Sequence, residues 1–244
     1  MKKILLISGL CAVAALVSQS AQAEVKVRAG VASSTYTLGG DYINGKSSYN
    51  PVNLGLTFSG DSGAYIDLAY SSGTGKHDGW AALGAPAENF KRSDLALIVG
   101  ASKLNPNNGI AGTFYVGLKT GSTTLGAQNT PLAWTEETFD SSGIVFGGGA
   151  SFPIASGRAG SVGVNAGLGI MGATWKDTTG FNIKAKTAVG FSFGVNYTYP
   201  ITSNLGVVVD YKGNSYSYNF GDTANPFTIK ETVSAFGATV YAKF

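Results

Sequence analysis

The chain ends ATVYAKF, residues 238–244. Successive side chains of a strand point to opposite faces. Ala238, Val240, Ala242 and Phe244 therefore share one face, and Phe236 extends the row, while Thr239, Tyr241 and Lys243 take the other. Chain ends are ordinarily polar and frayed. An apolar row that runs to an aromatic last residue is instead a finished strand with a face to cover.

The opposite end, MKKILLISGLCAVAALVSQSAQA (1–23), has the three parts of a secretory signal peptide. Lys2 and Lys3 are the basic start, Ile4 to Val17 is mostly apolar, and Ala21-Gln22-Ala23 is a small-x-small cleavage site. The apolar run is short for a spanning helix. Cleavage after Ala23 leaves a single domain, residues 24–244. The only cysteine, Cys11, leaves with the leader, so the mature chain is expected to hold no disulfide, thiol nucleophile or thiolate metal site. Loss of the two leader lysines brings the 17 basic residues close to the 14 acidic ones, and near-neutrality gives no reason to expect nucleic acid as a partner.

Past residue 24 the sequence repeats one pattern. Apolar residues alternate over roughly ten positions, then turn residues intervene. The first rows are Val25, Val27, Ala29, Val31 and then Val52, Leu54, Leu56, Phe58. Ten such rows are legible, the closing strand being the tenth. Eight or twelve strands are the alternatives if a bulge or a weak strand is misread, and NSYSYNF (214–220), which alternates on the other parity, is one such place. The connections SGDSG (59–63), KLNPNNG (103–109), ASGRAG (155–160) and TSN (202–204) are short. Those near 39–50, 72–91, 120–142, 174–183 and 213–230 are mostly longer. The 35 glycines argue against long helices. GGGASF (147–152) is not followed by a helix pattern, which removes the phosphate-loop reading.

Alternation alone does not say which face is wet. A soluble barrel turns its apolar face inward, a membrane barrel outward. Alternating short turns and long loops, an even strand count and the placement of aromatics favour the membrane. Phe58, Phe114, Phe152, Tyr199 and Phe244 all lie near the short-turn ends of strands, as an interfacial girdle requires. The opposite face carries the charges Lys26, Arg28, Asp67, Asp94, Lys119, Lys186, Asp210 and Lys243, together with many glycines. Buried charges need partners or water, and a barrel lumen offers both. Lys26 and Arg28 become neighbours of Lys243 on closure and are expected to recruit Asp67 or Asp210. The glycines are expected to enlarge the free lumen.

With leader, hairpins and terminal aromatic in place, the chain resembles the small Gram-negative outer-membrane β-barrel proteins, the porin-like, opacity-type class of single-domain barrels. The resemblance implies an all-β, transmembrane, up-and-down antiparallel barrel, outer-membrane localisation, and contact with outer-membrane lipid and lipopolysaccharide. It also implies that Phe236, Ala238, Val240, Ala242 and Phe244 form an assembly signal read by the barrel-assembly machinery. Tyr241 and Ala242 depart from the class, whose closing strands often carry an aromatic on the lipid side at the place of Ala242.

Three functions follow. The first is surface interaction, adhesion or barrier structure, with loop residues such as Tyr42, Trp80, Phe90, Trp134 and Phe139 meeting an extracellular ligand or host surface. The second is a narrow passive channel, because ten strands lie close to the size that side chains fill. The third is an omptin-like or lipid-modifying enzyme. His77, the only histidine, stands beside Asp78 in GKHDGW. The omptin set is not reproduced, since the loop near 174–183 offers Asp177 and no histidine. A solvated loop histidine is the simpler reading, so no catalytic residue, no metal ligand and no cofactor is expected.

Overall fold

The computed structural model describes residues 24–40, 44–77, 88–126, 136–154, 159–177, 180, 182–221 and 225–244. The expected leader, Tyr42, Trp80 and Trp134 lie outside the described residues. Among the described residues there are twelve strands: β1 (Glu24–Gly40), β2 (Asn44–Tyr49), β3 (Val52–Ser59), β4 (Ala64–His77), β5 (Glu88–Leu104) and β6 (Ala111–Gly126). They continue with β7 (Glu137–Pro153), β8 (Ser161–Asp177), β9 (Asn182–Lys184), β10 (Ala188–Pro200), β11 (Leu205–Phe220) and β12 (Phe227–Lys243).

Every pairing is antiparallel, and the pairings return on themselves. β1 pairs with both β12 and β3, and β8 with both β7 and β10. Two staves of this ring are interrupted. β2 and β3 both lie between β1 and β4, split at Asn50-Pro51, where proline has no N–H to give. β9 and β10 both pair with β8. Between them β8 runs from Thr174 to Met171 while the partner runs from Lys184 to Ala188, so one extra residue bulges there. Twelve strands thus make ten staves. The seam is sealed at its end by Val25 N donating to Phe244 O (3.1 Å) and Phe244 N donating to Val25 O (2.9 Å).

At one end the staves are joined by tight turns. Asn105 N donates to Ile110 O, and the Asn105 and Asn108 side chains accept from the N–H groups of Asn107 and Ile110. Gly63, at φ 81°, closes another such turn in the left-handed conformation that glycine tolerates best. Both ends of the described chain lie at this short-turn end.

Each strand changes character along its length. Near the short-turn end the outward face is apolar: Val27 and Val31 on β1, Val116 and Leu118 on β6, Ile144 and Phe146 on β7, Phe191 and Val195 on β10, all exposed. Towards the other end the same face turns polar, with Ser33, Thr35 and Thr37 on β1 and Thr228, Lys230, Thr232 and Ser234 on β12. The inward face inverts in step, becoming apolar and buried at Tyr36, Leu38, Phe90, Leu125, Phe139, Tyr218, Phe220 and Ile229. The lower zone is a belt that only lipid can cover. The upper zone is built like a water-soluble barrel, with its core inside. An apolar-faced stretch of about eight consecutive residues, tilted as barrel strands are, gives a belt roughly 20 Å tall.

The 214–220 stretch, expected within a longer connection, is the continuation of β11. Its parity change is the zone change: Asn214, Tyr216, Tyr218 and Phe220 continue the inward row of Asp210 and Lys212.

Candidate functional site

The lumen gathers five of the six ion pairs found among the described residues. At its short-turn end Arg28 Nη2 lies 2.5 Å from Asp67 Oδ1, which also accepts from Thr57 Oγ1 at 2.6 Å. Lys243 Nζ pairs with Glu24 Oε2 at 3.0 Å, on adjacent strands of the seam. Lys26 stands over the Tyr241 ring at 5.3 Å. Asp210 and Lys212, two apart on β11 and so on one face, approach to 3.7 Å.

Higher up, the floor of the apolar core is an ionic cluster around Arg92, whose side chain is 2% exposed. Its Nε and Nη2 fork onto both oxygens of Asp94 at 2.9 and 2.7 Å. Its Nη1 donates to Glu231 Oε1 at 2.6 Å and Thr123 Oγ1 at 2.8 Å. The guanidinium lies 4.9 Å from the Tyr36 ring centre, and Tyr218 Oη donates to Glu231 Oε2 at 3.1 Å. One planar donor with a fixed fork satisfies two carboxylates and a hydroxyl, which few other side chains can do. The cluster ties β5 and β6 to β11 and β12 across the lumen. Above it, aromatic rings pack together inside the barrel, with centroids 5.3 Å apart for Tyr36–Phe90 and Phe139–Tyr218 and 5.0 Å for Tyr49–Phe90.

Below the cluster a cavity of about 450 Å³ remains, with Arg28, Asn53, Asp94, Lys119, Asn165, Asp210 and Lys212 among apolar and aromatic residues on its wall. Tyrosines intrude on it. A methyl group at Gly167 would lie 2.5 Å from Tyr115 Oη, and one at Gly169 would lie 2.8 Å from the Tyr216 ring. Gly100 and Gly206 stand in the same relation to Tyr65 and Tyr241. These four glycines seat lumen tyrosines, and Gly55, Gly163 and Gly194 likewise lie against Arg28, Asn196 and Asn165, so at these positions the space expected to be free is taken by a side chain from another stave.

Of the expected lumen charges, Lys26, Arg28, Asp67, Asp94, Lys119, Asp210 and Lys243 face inward. Lys186 does not. Ile183 and Ala185 pack on the core, as Ala188 does, so the inward parity slips at the β9–β10 bulge and leaves Lys186 and Thr187 exposed. The basic stretch of Lys26, Arg28 and Lys243 was expected to recruit Asp67 or Asp210: Arg28 pairs with Asp67, while Lys243 pairs with Glu24, which the seam register sets diagonally beside it. Phe90 and Phe139, expected in loops, are buried strand residues at 1% and 3% exposure. The backbone of His77 is likewise the end of β4, paired with Ser47 and Glu88, not the middle of a loop. Phe58, Phe114, Phe152, Tyr199 and Phe244 sit at the short-turn end on the outward face, Phe114 and Phe244 being 78% and 77% exposed. Phe236, Ala238, Val240 and Ala242 form the outward row of β12, with Tyr241 inward. Arg92, Thr123 and Glu231 were not foreseen. Counting back by twos from Asp94 reaches Arg92, so parity alone held the signal.

No family model and no curated protein matches this chain. Among solved structures it is similar to the outer membrane protease OmpT of Escherichia coli, at 12% identity and a TM-score of 0.58, covering 91% of this chain and 96% of that one. It also aligns with the translocator domain of the autotransporter NalP of Neisseria meningitidis (11% identity, TM-score 0.49, 100% and 96% covered) and with neisserial surface protein A (11%, 0.40, 90% and 97%). The closed antiparallel ring, its outward apolar belt and the OmpT likeness define the class: the chain has the fold of a small outer-membrane β-barrel protein.

Proposed function

We propose that this protein is a non-conducting outer-membrane barrel that holds a surface-facing end for interaction with an extracellular ligand or neighbouring surface. One observation carries the reading. The bore is filled at the long-loop end by an apolar core seated on the Arg92–Asp94–Glu231 cluster. A core packed to interior density leaves no path for hydrated ions. A closed barrel is a scaffold for the segments that join its strands, and segments held by such scaffolds commonly carry recognition. We read the protein as non-enzymatic, since the inward carboxylates Asp67, Asp94 and Glu231 are engaged by Arg28 or Arg92, Glu24 by Lys243 and Asp210 by Lys212.

A narrow channel is the second reading, favoured by the cavity beneath the core and the charged side chains on its wall. Planar-bilayer recording separates the two. Wild-type protein is expected to insert without conductance steps, and Phe90→Ala/Phe139→Ala/Tyr218→Ala, which removes three rings from the stopper, is expected to give them. Reproducible wild-type steps of similar size to the variant's would contradict the closed reading. The interaction role is tested by comparing surface binding of cells that display the wild type with cells that display a variant shortened across 78–87 and 127–135. Equal binding by both removes the loops as the contact.

A further inference from the structure

The cavity below the Arg92 cluster has two unlike walls. At mid-height β4 and β5 bound it with Ala69, Ala96 and Ile98, while Ser71 and Asp94 lie at its upper margin beside the cluster. On β8 and β10 it is bounded by Asn165, Ser192 and Asn196. Counted round the ten staves, the two walls stand nearly opposite each other, with Tyr115 on β6 between them. One wall is apolar, and the other offers amides and a hydroxyl.

The polar groups converge. A methyl group at Gly167 would lie 2.5 Å from Tyr115 Oη and 3.1 Å from Ser192 Oγ, so both hydroxyls approach one patch of wall. The Asn165 amide lies over the adjacent Gly194, where a methyl group would meet Nδ2 at 2.8 Å and Oδ1 at 3.0 Å. Among the described residues Tyr115 Oη, Ser192 Oγ and the Asn165 amide have no hydrogen-bond partner in the protein, and Asn196 Oδ1 has only a long contact of 3.5 Å from Thr198 Oγ1. The charges around the cavity, by contrast, cancel. The cluster sets two carboxylates, Asp94 and Glu231, against one guanidinium. Lys119, diagonal to Asp94 on the neighbouring strand and outside the six ion pairs, offsets the excess. Arg28 is matched by Asp67 and Lys212 by Asp210.

We propose that this cavity binds a small neutral aromatic compound edged with hydrogen-bonding groups, its ring against β4–β5 and its polar edge on β8–β10. The proposal goes beyond the surface-interaction reading and stands whether or not the lumen conducts. Three observations select that ligand. A volume of about 450 Å³ with apolar walls and a few convergent polar groups is the ordinary make-up of a small-molecule site. The unspent groups include both donors and acceptors, which hydroxyl and amide substituents satisfy together. The balanced charge excludes an ion as the preferred ligand, because an added charge among paired ones would lose its hydration without gaining a counter-charge.

The test uses the whole protein, folded in mild detergent and checked by its heat-dependent gel shift. It is titrated calorimetrically with 4-hydroxybenzamide, with 4-hydroxybenzoate, which has the same shape and a negative charge, and with glucose, which has hydroxyls and no aromatic ring. The amide is expected to bind saturably and at least about tenfold more tightly than either of the others. Asn165→Leu/Asn196→Leu, which keeps the volume and removes both amides, is expected to weaken it by about tenfold or more. Ser192→Ala, a smaller change that serves if the double variant does not fold, is expected to weaken it by about fivefold. Ala96→Leu, which fills the opposite wall, is expected to weaken it by about tenfold or more. Thr113→Val, inward on β6 but outside the cavity, is expected to leave it unchanged. No saturable binding of the amide, unchanged binding in Ser192→Ala and the double variant, or an equal loss in Thr113→Val would overturn the site. Equal or tighter binding of 4-hydroxybenzoate would make it an anion site, and equal binding of glucose a polyol site; either result overturns the proposed ligand. A conducting wild type would sink the closed-barrel reading and leave this one standing.

Discussion

Arg92 shows how much one side chain is asked to do. Its guanidinium is almost fully removed from solvent, and Glu231 is equally so. A charge there is tolerable only with its partners in place, since removing one partner of a buried pair strands the other. Glu231→Ala is therefore expected to lower stability by about 3–5 kcal/mol, read from urea unfolding in detergent or vesicles. The double variant Arg92→Leu/Glu231→Leu is expected to lose clearly less than Glu231→Ala, because an apolar pair leaves no orphan charge. A loss within about 1 kcal/mol for Glu231→Ala, in the range of an exposed pair, would mean that water reaches the cluster. The exposed pair Lys176–Asp140 offers the contrast: breaking it is expected to cost no more than about 1 kcal/mol.

At the scale of the strand, the decisive feature is the level at which apolar residues change parity. On β12 they are odd-numbered from Phe227 to Ala235 and even-numbered from Phe236 to Phe244. On β1 they are odd to Val31 and even at Tyr36 and Leu38. The strand does not slip; the solvent outside it changes. A lysine on the outward face of β12 is therefore expected to cost about 2–4 kcal/mol at Val240, near the middle of the belt, and close to nothing at Thr232. Equal costs at the two sites, measured by unfolding in vesicles, would place the belt wrongly. The lower zone was legible from sequence because period-2 rows and turn residues are local signals. The upper zone was taken for loops because the residues between its apolar positions are Ser, Thr, Asn and Lys, which resemble connections when read without the strand below. Lys186 was misplaced for a related reason: a bulge shifts parity by one and leaves no composition signal. The Arg92–Glu231 pair joins residues 139 apart, and no local pattern reports such a contact.

For the whole molecule, closure and filling go together. The ring closes through β1 and β12, where Phe244 exchanges backbone hydrogen bonds with Val25. Deleting Phe244 is expected to lower the folded, heat-modifiable fraction in the outer membrane, since it removes both the end of the seam and the terminal aromatic of the outward row. An unchanged folded fraction would mean that the seam above it suffices and that the residue carries no assembly role. The account as a whole stands on one arrangement, a barrel whose outside is lipid below and water above while its inside is closed. The measurement that tests it most directly is spin-label accessibility along the outward row of β12, positions 228 to 244 taken by twos, in a Cys11→Ser background and in lipid vesicles. Collisions with oxygen are expected to dominate at 236–244 and collisions with a water-soluble nickel chelate at 228–234, with the crossover beside Phe236. Oxygen-dominated collisions along the entire row would contradict the two-zone barrel.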